Sequence, residues 1–332
     1  MAVRPLPLAI AGTACISSSA VIMQLAGTSA SLTALGRCGF ALPVLAVLVW
    51  LDRRRGASPL ARRSRWLARF AGFFLAADLI VWSHAISDIG AGLGTVVPNL
   101  QVLILAVGGW LFLGEKPRRS LLFASPVMLA GLALVGGLTG AHAYGADPGA
   151  GVLAGACVAV LYAVYIFALR QAMAAPGGGG PASPVAALFE ATLGATVGSV
   201  VIGLAVHDFG HPGAARIWQA LGWLLLLAIT SQVIGWLLIT TSMSRLPAWM
   251  IGVVLLIQPA GSVTLGYLIL HERPSLTQLT GVALMLVGVL AAVGGGRPAP
   301  AQHEDHPPGT GGVQGNVAVE VAVLGHDAQS AG

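Results

Sequence analysis

The sequence predicts an all-α polytopic membrane protein, ten transmembrane helices arranged as two inverted five-helix repeats. Three observations carry the first part of that statement. Hydrophobic residues make up 56% of the 332 residues and charged residues only 9%, against roughly 25% charged in an ordinary soluble domain. Mean hydropathy is +0.84. The apolar residues fall in runs of the roughly 20 residues that a helix needs to cross the hydrocarbon core, not in the short alternating segments of a membrane barrel. Soluble enzymes, nucleic-acid binders and disulfide scaffolds are excluded by this composition.

The runs predict spans near 6–26, 31–51, 69–87, 91–113, 120–139, 149–170, 184–206, 217–241, 247–270 and 276–295. Span 1 follows Arg4 and precedes Gly27-Thr28-Ser29-Ala30, which has the small residues of a cleavage site. Its apolar core is longer than the roughly 7–15 residues of a signal peptide, so it is expected to stay as a membrane helix. Ser17, Ser18 and Ser19 within it are expected to bond their own backbone carbonyls. Span 2 carries Arg37, and an arginine-rich loop at 52–69 follows. That loop reads as a topology determinant or an anionic-lipid patch. At the start of span 4, Gly90, Gly92 and Gly94 lack a preceding strand and suit helix bending or packing, not phosphate binding. The segment 171–184, with its four-glycine run, reads as a flexible loop, and 297–332 as a disordered polar tail. His303, Glu304, Asp305 and His306 in that tail are weak metal ligands at best, and no metal or other cofactor is expected. Cys15, Cys38 and Cys157 lie in apolar runs and read as small packing residues.

Basic residues set the orientation. With the N-terminus in the cytoplasm, 14 of the 17 Lys and Arg fall on the cytoplasmic side: Arg4, seven arginines from Arg53 to Arg69, Lys116, Arg118, Arg119, Arg170, Arg245 and Arg297. Only Arg216 and Arg273 fall outside, and Arg37 lies within a span. Such bias predicts a multi-pass protein of the cell membrane with both termini cytoplasmic.

A shift of 157 residues aligns 101–137 with 258–294 without a gap. Gln101 falls on Gln258, Gly109 on Gly266, Glu115 on Glu272, Pro117 on Pro274, Met128 on Met285 and Gly131 on Gly288. The halves, 6–140 and 149–296, each hold five expected spans. An odd number turns the second half upside down, with the Glu115 turn inside and the Glu272 turn outside. Inverted repeats of this kind build many secondary carriers around a site near the midplane.

These residues resemble the drug/metabolite transporter superfamily, EamA type. There each five-helix half ends in a helix, a Glu-(Lys/Arg)-Pro turn and a last helix with an internal glycine. Here these are LGEKP at 113–117 with Gly131, and LHERP at 270–274 with Gly281 and Gly288. The family's proline thirteen residues before the Glu is kept as Pro259, whereas the first half has Val102 there and places Pro98 one turn earlier. The resemblance covers roughly 6–295 and implies a ten-helix carrier working by alternating access, commonly an exporter of amino acids, other metabolites or drugs. It implies no nucleotide cofactor, and no phosphate-loop motif is present. A membrane-embedded enzyme, or a receptor or assembly subunit that transports nothing, is the alternative. Against the enzyme, His84, His142, His207, His211 and His271 are scattered and share no metal-ligand spacing.

A charge at bilayer depth costs roughly 2.5–3.5 kcal/mol on insertion scales, so each should face a cavity or a partner. Arg37 and Asp78 lie within reach of each other in depth, which suggests an ion pair or a shared water-filled cavity; the alternative is that Arg37 snorkels to the interface. Glu190, equivalent to Arg37 under a shift of 153, has no evident basic partner. It is either a proton carrier or a structural glutamate, which makes protons a candidate coupling partner beside the bilayer and a small-molecule substrate. The expected cavity residues are the symmetric amides Gln101 and Gln258, with Asn99, Trp82, Tyr162, Tyr165, Gln232 and Trp236. Amides hydrogen-bond a solute's polar groups and aromatics cover its apolar part. Glu115 and Glu272 are expected to tie helix turns at the membrane interface.

Overall fold

The computed structural model describes residues 5–113, 119–137, 143–174, 183–210, 216–243 and 254–294, and every regular element among them is helical. In order these are α1 (Pro5–Ala26) and α2 (Ala30–Arg54), then α3 (Arg62–Val96), a 3₁₀ turn (Val97–Leu100) and α4 (Gln101–Leu113). There follow α5 (Arg119–Val135), α6 (Pro148–Ala174) and α7 (Pro184–Ala205). The last are α8 (Ile217–Ser242), α9 (Ile257–Ile269) and α10 (Leu276–Gly294). Six helical stretches among the described residues are long and apolar enough to cross a membrane: α1, α2, Arg62–Ile104, Pro148–Met173, α7 and α8. The Glu115 turn, His142, His211, Arg245, most of the 171–184 loop and the 297–332 tail lie outside the described residues.

The surface accounts for the composition. Phe123, Trp218 and Leu276 are 77%, 81% and 83% exposed, which water would not tolerate over so wide an apolar belt. Inside, the helices meet through small residues, because in lipid close packing has to supply what hydrophobic burial supplies in water. A Cβ on Gly72 of α3 would overlap the Ala191 carbonyl of α7, and one on Gly194 of α7 would overlap the Arg69 carbonyl of α3.

The chain directions are read from these contacts. Across α5 and α10, Gly131 meets Gly281 and Met285, whereas Gly288 meets Met128 and Ala124. As one number rises the other falls, so the two helices are antiparallel. Under the 157-residue shift Gly131 is the equivalent of Gly288, Met128 of Met285 and Ala124 of Gly281. The contacts are therefore exchanged by a local twofold relation. Helices α2 and α7 behave likewise: the Ser31 amide donates to Asp208, a Cβ on Gly39 would approach Thr196, and Ser183 donates to Asp52.

Three expectations need correction. The third span begins seven residues earlier than its apolar run, at Arg62, and it does not stop at 87. Arginines are good helix formers with long apolar stems, so a basic interfacial turn extends the helix below the reach of a hydropathy reading. The helix bends at Gly90, where φ is 89° and ψ 164°, and resumes at Ala91. Cys157 is exposed on α6 instead of packed inside, while Cys38 is buried and Cys15 half-buried; all three are free thiols. The serine expectation holds: the Ser17, Ser18 and Ser19 hydroxyls donate to the carbonyls of Thr13, Cys15 and Ile16, and α1 breaks at Ser18.

Candidate functional site

A cavity of about 90 Å³ lies among helices of both halves. Ser19 of α1, Arg37 of α2, Asp78 and Trp82 of α3 and Tyr162 of α6 border it. Trp236 and Ile239 of α8 close another side. The chain around the breaks before α4 and α9 adds Thr95, Pro98, Asn99 and Gln101 from one and Gln258 from the other. The break before α4 has a local cause. Pro98 has no N–H to give, and the chain passes through the 3₁₀ turn there. Asn99 Nδ2 donates to the carbonyls of Thr95 and Val96 at 3.1 and 2.8 Å, tying its side chain back onto the end of α3.

Of the residues expected at the cavity, Gln101, Gln258, Asn99, Trp82, Tyr162 and Trp236 line it, together with Arg37 and Asp78. Tyr165 and Gln232 do not. Tyr165 is fully buried behind the wall, edge-on to Trp236 at 5.6 Å. Gln232 sits in a π-helical turn of α8 (Ala228–Gly235), a geometry that widens the helix and is frequent at functional sites. Its Oε1 accepts from Arg37 Nε at 3.1 Å, and its Nε2 donates to Thr192 Oγ1 at 3.1 Å. A relay Arg37–Gln232–Thr192 thus joins α2 to α8 and α7.

Arg37 and Asp78 share the cavity but form no ion pair within 4 Å. The single ion pair among the described residues is elsewhere. Arg37 is 3% exposed and Asp78 5%. Asp78 Oδ1 and Gln101 Oε1 are buried without a hydrogen-bond partner among the described residues. Trp82 is fixed by a 3.0 Å hydrogen bond from Nε1 to the Gly94 carbonyl.

Glu190, expected from the sequence to lack a basic partner, has one. Its Oε2 receives Arg69 Nε at 2.7 Å, and the Arg69 guanidinium also lies over the Trp66 ring. The error traces to the start of α3. Because that helix begins at Arg62, Arg69 lies seven residues in, and Glu190 lies six residues into α7. Both stand about 10 Å from their helix starts at 1.5 Å per residue, so they meet. The Glu190 carboxylate is thus paired, and the pair ties the two halves.

Glu272 ties more than its own turn. It is 2% exposed, and its oxygens accept from the backbone N–H groups of Ala91 at 2.5 Å and Gly92 at 3.0 Å. These donors are the open N-terminus created by the Gly90 bend, where a carboxylate is favoured by the helix dipole as well. Beside it in the 143–147 loop, the Tyr144 hydroxyl is pushed above its ordinary pKa, first by burial and then by the Glu272 charge. From Arg69 to Gly90 is 21 residues, roughly 30 Å of helix and thus about one hydrocarbon thickness. The Glu190 and Glu272 contacts sit at the two ends of that stretch. No cluster of three or more potential metal-ligating side chains occurs among the described residues.

No curated protein matches the sequence significantly. Among solved structures 25 chains match. One, titled only "Crystal structure of protein", is 19% identical, covers 87% of this chain and 95% of its own, and superposes with a TM-score of 0.60, a likeness of fold alone. The sequence model of the EamA-like transporter family matches residues 4–137 and again 149–294. With both repeats matched over nearly all of the helical region, the chain belongs to the EamA-like transporter family and is a membrane transporter of the drug/metabolite transporter superfamily.

Proposed function

We propose that the protein is a carrier of small metabolites in the cell membrane, exporting amino acids or related amphipathic compounds by alternating access. In this reading ten helices cross the bilayer with both termini cytoplasmic. The halves 6–140 and 149–296 are inverted copies, and residues 297–332 form a cytoplasmic tail. The observation that carries it is a cavity walled by both halves, with the repeat-related Gln101 and Gln258 on its rim. The antiparallel course of two repeat-related helix pairs, α2 with α7 and α5 with α10, supports the inversion. Inversion matters physically: one fold read in two directions has inward-open and outward-open forms of similar energy, so a solute at the shared pocket can be passed between them.

The test is counterflow in proteoliposomes against a panel of amino acids, nucleosides and cationic drugs, with and without a pH gradient. Exchange of at least one class is expected; none across the panel would overturn the carrier reading. Acceleration by a pH gradient would make protons the coupling ion, whereas indifference to it would leave facilitated exchange. Single-cysteine labelling in cells checks the inversion, since residues beside Glu115 and Glu272 must react from opposite sides.

A further inference from the structure

Resting on that carrier reading, we infer that the cavity has two poles: Asp78 with Gln101 receives the ammonium of a zwitterionic solute, and Arg37 receives its carboxylate. The first pole follows from two buried acceptors, Asp78 Oδ1 and Gln101 Oε1, on residues that border one cavity and with no donor among the described residues. A buried acceptor left unmatched is costly, and a charged one more so. A protonated amine supplies several N–H donors and the complementary charge, which one water or a neutral solute does not.

The second pole is Arg37. Gln232 holds the guanidinium through Nε, while Arg37 itself lines the cavity and no carboxylate among the described residues comes within 4 Å of it. Arg37 and Asp78 are thus a guanidinium and a carboxyl group kept apart, each addressing the same space. A zwitterion matches both poles at once, its ammonium facing the unmatched acceptors and its carboxylate the guanidinium. Tyr162 and Trp236, with ring centroids 6.2 Å apart, offer an apolar side to whatever group the zwitterion carries. The cavity, of about 90 Å³, sets the choice of small probes.

The experiment uses three ligands of one size: alanine with both charges, alaninamide with the ammonium only, and lactate with the carboxylate only. Apparent affinity is read from the ligand-induced rise in melting temperature of the purified full chain, and alanine counterflow is followed in parallel. Wild type is expected to favour alanine over both analogues. Asp78→Asn should weaken alanine and alaninamide about tenfold or more, as loss of a charge-assisted bond does, and leave lactate unchanged. Arg37→Gln should weaken alanine and lactate and spare alaninamide. The ligand that each variant still binds certifies that it is folded, and Gln101→Leu gives a milder version of the Asp78 pattern. The inference is overturned if either variant weakens all three ligands equally or none of them, or if wild type exchanges only solutes lacking an amine. Those results leave the carrier reading standing; that reading falls only if the broad panel is inert.

Discussion

Replacing Glu272 with alanine removes the acceptor for two backbone donors at once. Ala91 N and Gly92 N approach its oxygens at 2.5 and 3.0 Å, and the side chain is 2% exposed, so water cannot take its place without rearrangement. Hydrogen bonds to a charged group are worth about 1.5–3 kcal/mol each, and losses from one site seldom exceed about 5 kcal/mol, so the expected cost is about 3–5 kcal/mol. Glu272→Gln keeps one acceptor oxygen but turns an NH₂ toward the second amide, and about half that loss is expected. The assay is thermal unfolding followed by intrinsic fluorescence, in one detergent and at one scan rate because unfolding of such proteins is governed by rates. At roughly 2–4 °C per kcal/mol for a chain of this class, the alanine variant should melt roughly 6 °C or more below wild type. Leu276→Ala, on the lipid-facing surface, controls for detergent effects and should shift little. If Glu272→Ala melts with wild type, the capping of the Gly90 bend contributes nothing and the account of that residue is wrong.

Other outcomes follow from the same contacts. Gly90→Ala places a side chain at φ 89° and a Cβ 2.8 Å from Glu272 Oε1, so it should cost about 2–3 kcal/mol. Combined with Glu272→Ala the loss should be less than additive, because both disrupt one contact. Arg69→Gln and Glu190→Gln should each lower stability by about 1–2 kcal/mol, the Arg69 side chain being about one-third exposed and screened. The reversal Arg69→Glu with Glu190→Arg should recover most of the loss, and no recovery would deny the pair. Gly131→Leu and Gly288→Leu, which meet repeat-related neighbours across α5 and α10, should both abolish the monodisperse peak in size-exclusion chromatography. Gly222→Leu, with open space around it, should keep that peak.

Much of the protein was legible in its composition and periodicity. A membrane helix must satisfy its backbone internally and present apolar residues outward, and that local requirement writes itself into runs that need no knowledge of neighbours. The 157-residue repeat, including Gln101 opposite Gln258 and Gly131 opposite Gly288, is likewise a property of the string alone. What the string could not carry was which polar group meets which. Arg37 looked like a partner for Asp78 by depth, yet Gln232, 195 residues away, takes its Nε, because depth is one coordinate and pairing also needs the rotation of each helix. Glu190 looked solitary because the start of α3 was placed at the end of an arginine-rich stretch that a hydropathy reading counts as loop. Glu272 reads as an interfacial residue until the fold brings the Gly90 bend against it and supplies two amides without acceptors. Helix positions follow from residue-by-residue transfer into lipid; the charged and amide contacts follow from how the helices are turned against one another, which only the assembled bundle decides.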